Sequence, residues 1–170
     1  MTTTAGELTT QDFKTIFRRH TAAVAVITLQ GPTGPVGFTA TSVISVSAAP
    51  PILAFSIDSA STSWPALAQA ETAVANLLTQ EQAGLASRFA TSGIDRFATV
   101  DWSIVPSGEP VLHHTRAWVR GRIIDRFPAG HSHLVVLHAL EHHQERREEP
   151  ALLYQDRGYH QPGPPISSPS

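Results

Sequence analysis

Between Ala22 and Ile57, proline and glycine clusters cut the chain into segments too short for packed helices and too rich in Val, Ile, Ser and Thr to prefer them. Ala22 to Leu29 is a Val/Ile/Ala run ended by Gly31-Pro32-Thr33-Gly34-Pro35, and Val36 to Ser47 continues with β-branched and small residues, so the two predict a hairpin. Pro50-Pro51 then precedes another apolar strand, Ile52 to Ile57. Thr72 to Leu78 reads as a strand, and Trp118 to Phe127 and His133 to Leu140 read as two long ones joined by the turn Pro128-Ala129-Gly130. Helices are few. Asp12 to His20 sets Phe13, Ile16 and Phe17 at i, i+3, i+4, with Thr9 or Thr10 as N-cap. A short helix should begin near Trp64-Pro65, where proline's missing N–H does no harm, and another should cover Glu81 to Ala90. Short strands with few helices between them predict a mainly β fold, an antiparallel barrel, closed or partly closed, with peripheral helices at its ends. Residues 1–160 form one expected domain, and Gln161 to Ser170, reading QPGPPISSPS, is expected to be a disordered tail.

Composition narrows the chemistry. A chain of 170 residues can bury roughly 70% of its unfolded surface, enough for a core without staples. There are no cysteines, which excludes disulfides, a Cys-type zinc site and thiolate-bound iron–sulfur clusters. A formal charge of -2 provides no field to hold a polyanion, so nucleic acid is not an expected partner. Met1 to Gln11 lacks the basic flank and apolar run of a signal peptide, and no stretch approaches a membrane-spanning length; a cytoplasmic protein is expected. Gly-rich fingerprints of the Rossmann type, a P-loop, a nucleophile elbow and a zinc-protease helix are absent.

Three segments could carry chemistry. In Gly37-Phe38-Thr39-Ala40-Thr41-Ser42, small side chains let a ligand approach the backbone, while hydroxyls and free amides can donate to a phosphate or a carbonyl-rich ring; the same residues also suit the solvated face of a strand. Ser56-Ile57-Asp58-Ser59-Ala60-Ser61-Thr62-Ser63 lies just before a helix start, where hydroxyls and unpaired amides favour an anion, and ordinary N-capping accounts for only one of its serines. Arg88 could add a fixed charge suited to phosphate, or sit on a solvated helix face. The third is histidine: seven of the nine lie between His113 and His143. His131 and His133, two apart, would face one side of a strand as a metal site wants. The Glu a cupin-like site needs four or five residues beyond is Leu137 or His138, and Glu141 comes too late. No metal is expected.

The ordered set Val36-Gly37-Phe38-Thr39-Ala40-Thr41-Ser42, Ser45-Val46-Ser47, Pro50-Pro51, Ser61-Thr62-Ser63-Trp64-Pro65, Val74-Ala75-Asn76-Leu77-Leu78, Arg88-Phe89-Ala90, Arg96-Phe97, Gly108-Glu109-Pro110-Val111-Leu112, Ala117-Trp118-Val119, Leu152-Leu153-Tyr154 and Gly158-Tyr159 resembles the flavin reductase-like, FMN-binding split-barrel family over about Phe17 to His160. The resemblance implies a homodimeric split β-barrel of Greek-key type that binds FMN or FAD without a covalent bond and takes hydride from NADH or NADPH. It further implies delivery of reduced flavin to a partner monooxygenase, and the sequence looks most like the actinobacterial type.

On that resemblance, Thr39, Ala40, Thr41 and Ser42 lie along the flavin ring, and Gly37 and Phe38 also bind the cofactor. Ser56, Ile57, Asp58, Ser59, Ser61, Thr62, Ser63 and Trp64, with Arg88 and Phe89, contribute to cofactor binding on the phosphate side. His133 takes the place of the family's histidine against the nicotinamide, and Tyr159 closes over it. The family's Gly-Asp-His turn is here His131-Ser132-His133, and its later Gly-Glu pair is His138-Ala139. That departure leaves open a flavin carrier with no productive nicotinamide site, and His131-x-His133 leaves open a metal-binding barrel.

Overall fold

The computed structural model describes residues 6–168. The chain runs α1 (Thr10–Arg18), β1 (Ala22–Ala23), β2 (Ala25–Gly31), β3 (Gly34–Ala40), β4 (Ile44–Ala48), β5 (Pro51–Asp58), α2 (Trp64–Gln69) and β6 (Thr72–Leu77). After a 3-10 turn at Gln80–Gln82 come α3 (Ala83–Phe89), β7 (Trp102–Ile104), β8 (Pro110–Leu112), β9 (Ala117–Ala129), β10 (Ser132–Gln144), β11 (Leu153–Gln155) and β12 (Gly158–His160). Seven strands form one sheet in the order β3-β2-β6-β9-β10-β5-β4, antiparallel throughout. Two small sheets, β1-β11-β12 and β7-β8, pack beside it.

The two edges of the large sheet, β3 and β4, are consecutive in the chain and joined only by Thr41, Ser42 and Val43. Laid flat, seven strands would hold those edges about 29 Å apart, whereas the link can span no more than about 14 Å. The sheet therefore has to curl until its edges meet, and the fold is a split barrel whose seam is the segment 41–43. Ser42 buttons the seam to β5: its Oγ accepts from the Ser56 N–H at 2.9 Å and donates to the Ser56 carbonyl at 3.3 Å.

Inside the curl, Ile27, Leu29, Phe55, Ile57, Val135 and Leu137 form the main core, and Leu67 of α2 plugs one end. Arg126 holds that plug, donating from Nε and Nη2 to the Leu67 carbonyl and from Nη2 to Ala70, a cation placed on the exposed carbonyls of a helix C-terminus. The other face of β2 is covered too: Val26 joins Leu78, Phe89, Phe97, Leu112 and Leu152 in a second cluster beneath α3. Burial on both faces explains why β2 is apolar from Ala25 to Leu29 except at Thr28, whose buried hydroxyl donates to the Pro110 carbonyl.

Polar groups fix how β8 docks. Buried Asn76 donates to the Val26 carbonyl and the Thr28 hydroxyl, both at 2.9 Å, and accepts from the Leu112 N–H at 3.0 Å. Glu109, just before β8, is buried against Arg120 at 2.9 Å, and also accepts from the Thr72 and Ser107 hydroxyls. Burial alone would raise its carboxyl, but the ion pair with Arg120 and the hydrogen bonds from Ser107 and Thr72 outweigh it and lower the pKa to about 2.

Several sequence expectations are refined. Val36 to Ser47 is broken at the seam, and Glu81 to Ala90 divides into the 3-10 turn and α3. Pro128 and Ala129 remain in β9, and the chain reverses at Gly130, whose φ of +60° suits glycine. Thr9 is the N-cap of α1. Strands β7, β8, β11 and β12 carried too few residues to stand out. Residues 161–168 are exposed and form neither helix nor strand; the expected tail's last two residues, and Met1 to Ala5, lie outside the described residues. No helix among the described residues is long and apolar enough to cross a membrane.

Candidate functional site

The seam opens onto a cleft of about 740 Å³. Thr41, Ser42 and Ser56 form its polar wall, and Phe17, Ile44 and Tyr154 its apolar one. The volume is within the usual range for small-molecule sites, which pair a mostly apolar lining with a few placed polar groups.

A second pocket of about 300 Å³ lies where Gly37 of β3 meets Thr62 and Ser63 at the start of α2. Arg96 spans it, donating from Nη1 to the Gly37 carbonyl at 2.8 Å and the Ser63 hydroxyl at 3.2 Å, and from Nε to the Thr91 carbonyl at 2.8 Å. Burial pulls this guanidinium below its ordinary pKa, yet it remains a cation beside two hydroxyls. Sequence reasoning gave Arg96 no role at the site. The Arg-Phe dipeptide does not single it out, since it occurs at Arg88-Phe89, Arg96-Phe97 and Arg126-Phe127.

His133 stands at the start of β10, opposite Ile57 on the inward face. Its ring stacks on Trp64, with centroids 3.8 Å apart and planes 15° apart, and its Nδ1 lies 3.1 Å from the Ser59 hydroxyl. These contacts fix the ring's plane and rotation and leave Nε2 without a hydrogen bond among the described residues. His131 contributes its carbonyl to the Ser59 N–H. Among the described residues, no group of three or more His, Cys, Asp or Glu side chains is arranged to hold a metal ion.

The other candidates are dispersed. Phe38, Ala40 and Ile57 point into the main core. Thr39 donates to the Ala86 carbonyl at 2.6 Å and so docks α3 on β3. Asp58 accepts from the Ala60 N–H at 2.8 Å and Ser61 from the Ser63 N–H at 3.3 Å, the usual bonds of a tight polar turn. Phe89 is fully buried in the second cluster. Arg88 uses Nε and Nη2 on the carbonyls of Arg96 and Asp95, at 3.0 and 2.7 Å. Tyr159 packs on Tyr154, ring centroids 5.4 Å apart, and it is Tyr154 that lines the cleft.

Residues 17–163 match the family model described as a flavin reductase like domain. The chain belongs to the flavin reductase-like family. A relative named NADH:FMN oxidoreductase, from Rhodococcus erythropolis, is 44% identical over 157 residues, covering 90% of this chain and 82% of the relative. A flavin reductase from Pseudomonas putida is 31% identical over 88% of each chain. The crystal structure of a flavin reductase domain protein from Arthrobacter sp. FB24 superposes with a TM-score of 0.87 at 36% identity, covering 92% of this chain and 98% of that one. The split barrel expected from the sequence is thus the fold of this flavin reductase-like chain.

Proposed function

We propose that this chain is an NAD(P)H-dependent flavin reductase that holds FMN non-covalently at the barrel seam. The observation that carries the reading is the cleft at 41, 42 and 56: it combines hydroxyls, strand-end amides and an apolar wall at the one place where the barrel is split. The 44% identical relative's name favours FMN and NADH over FAD and NADPH. When bound, flavin supplies the redox chemistry, accepting hydride from the nicotinamide and leaving as reduced flavin.

The chain's part is binding and orientation. Backbone amides at Thr41 and Ser42 donate to the ring edge that becomes negative on reduction. Arg96, which lines the pocket with Thr62 and Ser63, holds the phosphate, and Arg88, which donates to the carbonyls of Asp95 and Arg96, steadies the segment that carries it. His133, fixed by Trp64 and Ser59, sets the position of the nicotinamide, and Tyr159 supports Tyr154 beside it.

A second copy of the chain covers the outer sheet face, where Ile44, Phe127 and Leu134 are exposed and Phe127 pairs with Leu134. The reduced flavin goes to a partner monooxygenase, as the family resemblance implies, and the cytoplasm is where this exchange takes place. Residues 1–160 act as one unit in this reading.

The test is purified protein with FMN and NADH, following absorbance at the nicotinamide band and quenching of flavin fluorescence. Steady NADH oxidation with saturable quenching supports the enzyme. Quenching without oxidation would instead favour a flavin carrier, the reading suggested by His131 and Ser132 in place of Gly-Asp. Absence of both defeats the proposal.

A further inference from the structure

The seam cleft has another wall, to which the flavin reading assigns nothing. Lys14 and Arg18 of α1 and Arg157 of the β11–β12 turn line it, with His20 beside them and no carboxylate. None of these three cations forms an ion pair among the described residues. Their convergence is built into the backbone: the Asp156 N–H donates to the Arg18 carbonyl at 2.8 Å, and the Thr21 hydroxyl donates to Gln155 Oε1 at 2.5 Å. The end of α1 and the residues just after it are therefore tied to the β11–β12 turn.

Arg157 sits there against local preference. Asp156 and Arg157 have φ of 49° and 63° between the paired residues Gln155 and Gly158, a two-residue reversal that favours Asn-Gly. Glycine follows one position too late to relieve the arginine. A bulky residue held at positive φ beside a binding cleft points to a functional constraint on that residue.

FMN brings a single phosphate, and the Arg96 pocket already provides for it. Unpaired cations around the same cleft, flanked by the aromatic rings of Phe17 and Tyr154, fit a second nucleotide with more charge and a flat base. We propose that Lys14, Arg18 and Arg157 bind the diphosphate of the hydride-donating nicotinamide dinucleotide and thereby set its KM. The ligand's identity rests on the flavin reductase reading; the cationic wall does not.

Arg157→Gly and Arg18→Gln, in the full chain, should each raise KM for NADH about three- to tenfold, the scale of one or fewer decades per lost charged contact, with kcat and FMN affinity within about twofold. Removing the strained side chain keeps or raises the thermal midpoint of Arg157→Gly, so misfolding cannot mimic the effect. KM in the unaltered protein should climb between low and 0.3 M salt, and climb less in the double variant. Equal loss of FMN affinity overturns the proposal by giving the wall to flavin, and a change confined to NADPH overturns it by giving the wall to the 2′-phosphate. If the unaltered protein oxidises no NADH, the flavin reductase reading fails separately. Direct titration with NAD+ then still decides the wall: weaker binding by the double variant supports it, and equal binding overturns it.

Discussion

Gly37→Ala tests what this glycine is for. The sequence suggests that it admits a ligand, but its missing side chain is already replaced by another residue: a Cβ at 37 would lie 2.7 Å from Phe89 Cε1, 3.0 Å from Cδ1 and 3.2 Å from the Ile27 carbonyl. Phe89 cannot easily withdraw. It is fully buried and braced edge-on by Phe97 at 5.1 Å and 85°. Overpacking of this kind costs about 1–3 kcal/mol, and with a rigid ring on one side and backbone on the other the upper half of that range applies. At about 2–4 °C per kcal/mol for a domain of this size, the thermal midpoint should fall by about 4–12 °C. Urea unfolding followed by circular dichroism should show a lower midpoint at unchanged slope. Phe89→Leu vacates the contested space, so the double variant should be less destabilised than the sum of the two single changes. A Gly37→Ala protein within about 0.5 kcal/mol of the parent, or strict additivity in the pair, would refute the packing account. Lost FMN affinity without lost stability would return the glycine to the ligand.

Three further outcomes are expected. Glu109 has its folded pKa held at about 2 against an ordinary 4.5, so its stabilising contribution is fully present above about pH 5 and lost as pH falls through 2. Urea midpoints for the parent and Glu109→Gln should therefore converge on acidification, from a gap of about 3 kcal/mol at pH 7. Asn76→Ala strands the buried Leu112 N–H and should cost about 1–3 kcal/mol by the same measurement, with β8 the first region to lose hydrogen-exchange protection. His133→Ala should lower NADH-dependent turnover more than it lowers FMN affinity; equal losses in steady-state kinetics and flavin titration would remove the histidine from the nicotinamide's side.

Much of the architecture is legible because its strands announce themselves locally. Turn clusters bound β2 and β3, Pro50-Pro51 marks the entry to β5, and Trp64-Pro65 starts α2 where an N-terminal proline belongs. The break at 41–43 is not legible, because closing a barrel is a property of strand order and Thr, Ser and Val each suit a strand interior. At the site, residue type was a good guide to the neighbourhood and a poor one to individual roles. Thr41, Ser42 and Ser56 reach the cleft, whereas Thr39 turns to α3 and Arg88 to the chain of 95–96. Arg96 and Tyr154 come to their pockets through pairings more than 30 residues apart in sequence, as between Arg96 and Ser63, which no local pattern encodes. Glu109 looked like one letter of a motif and proves to anchor a hairpin.

Two of the residues that let the sheet meet itself, Thr41 and Ser42, also line the cleft beside the seam. A molecule lodged there acts as a clasp, and any affinity it has for the folded chain adds to the work needed to pry the strands apart. Were flavin that molecule, the empty and filled proteins would differ in longevity as well as in colour, and a cell starved of vitamin-derived cofactor would see this chain opened and degraded sooner.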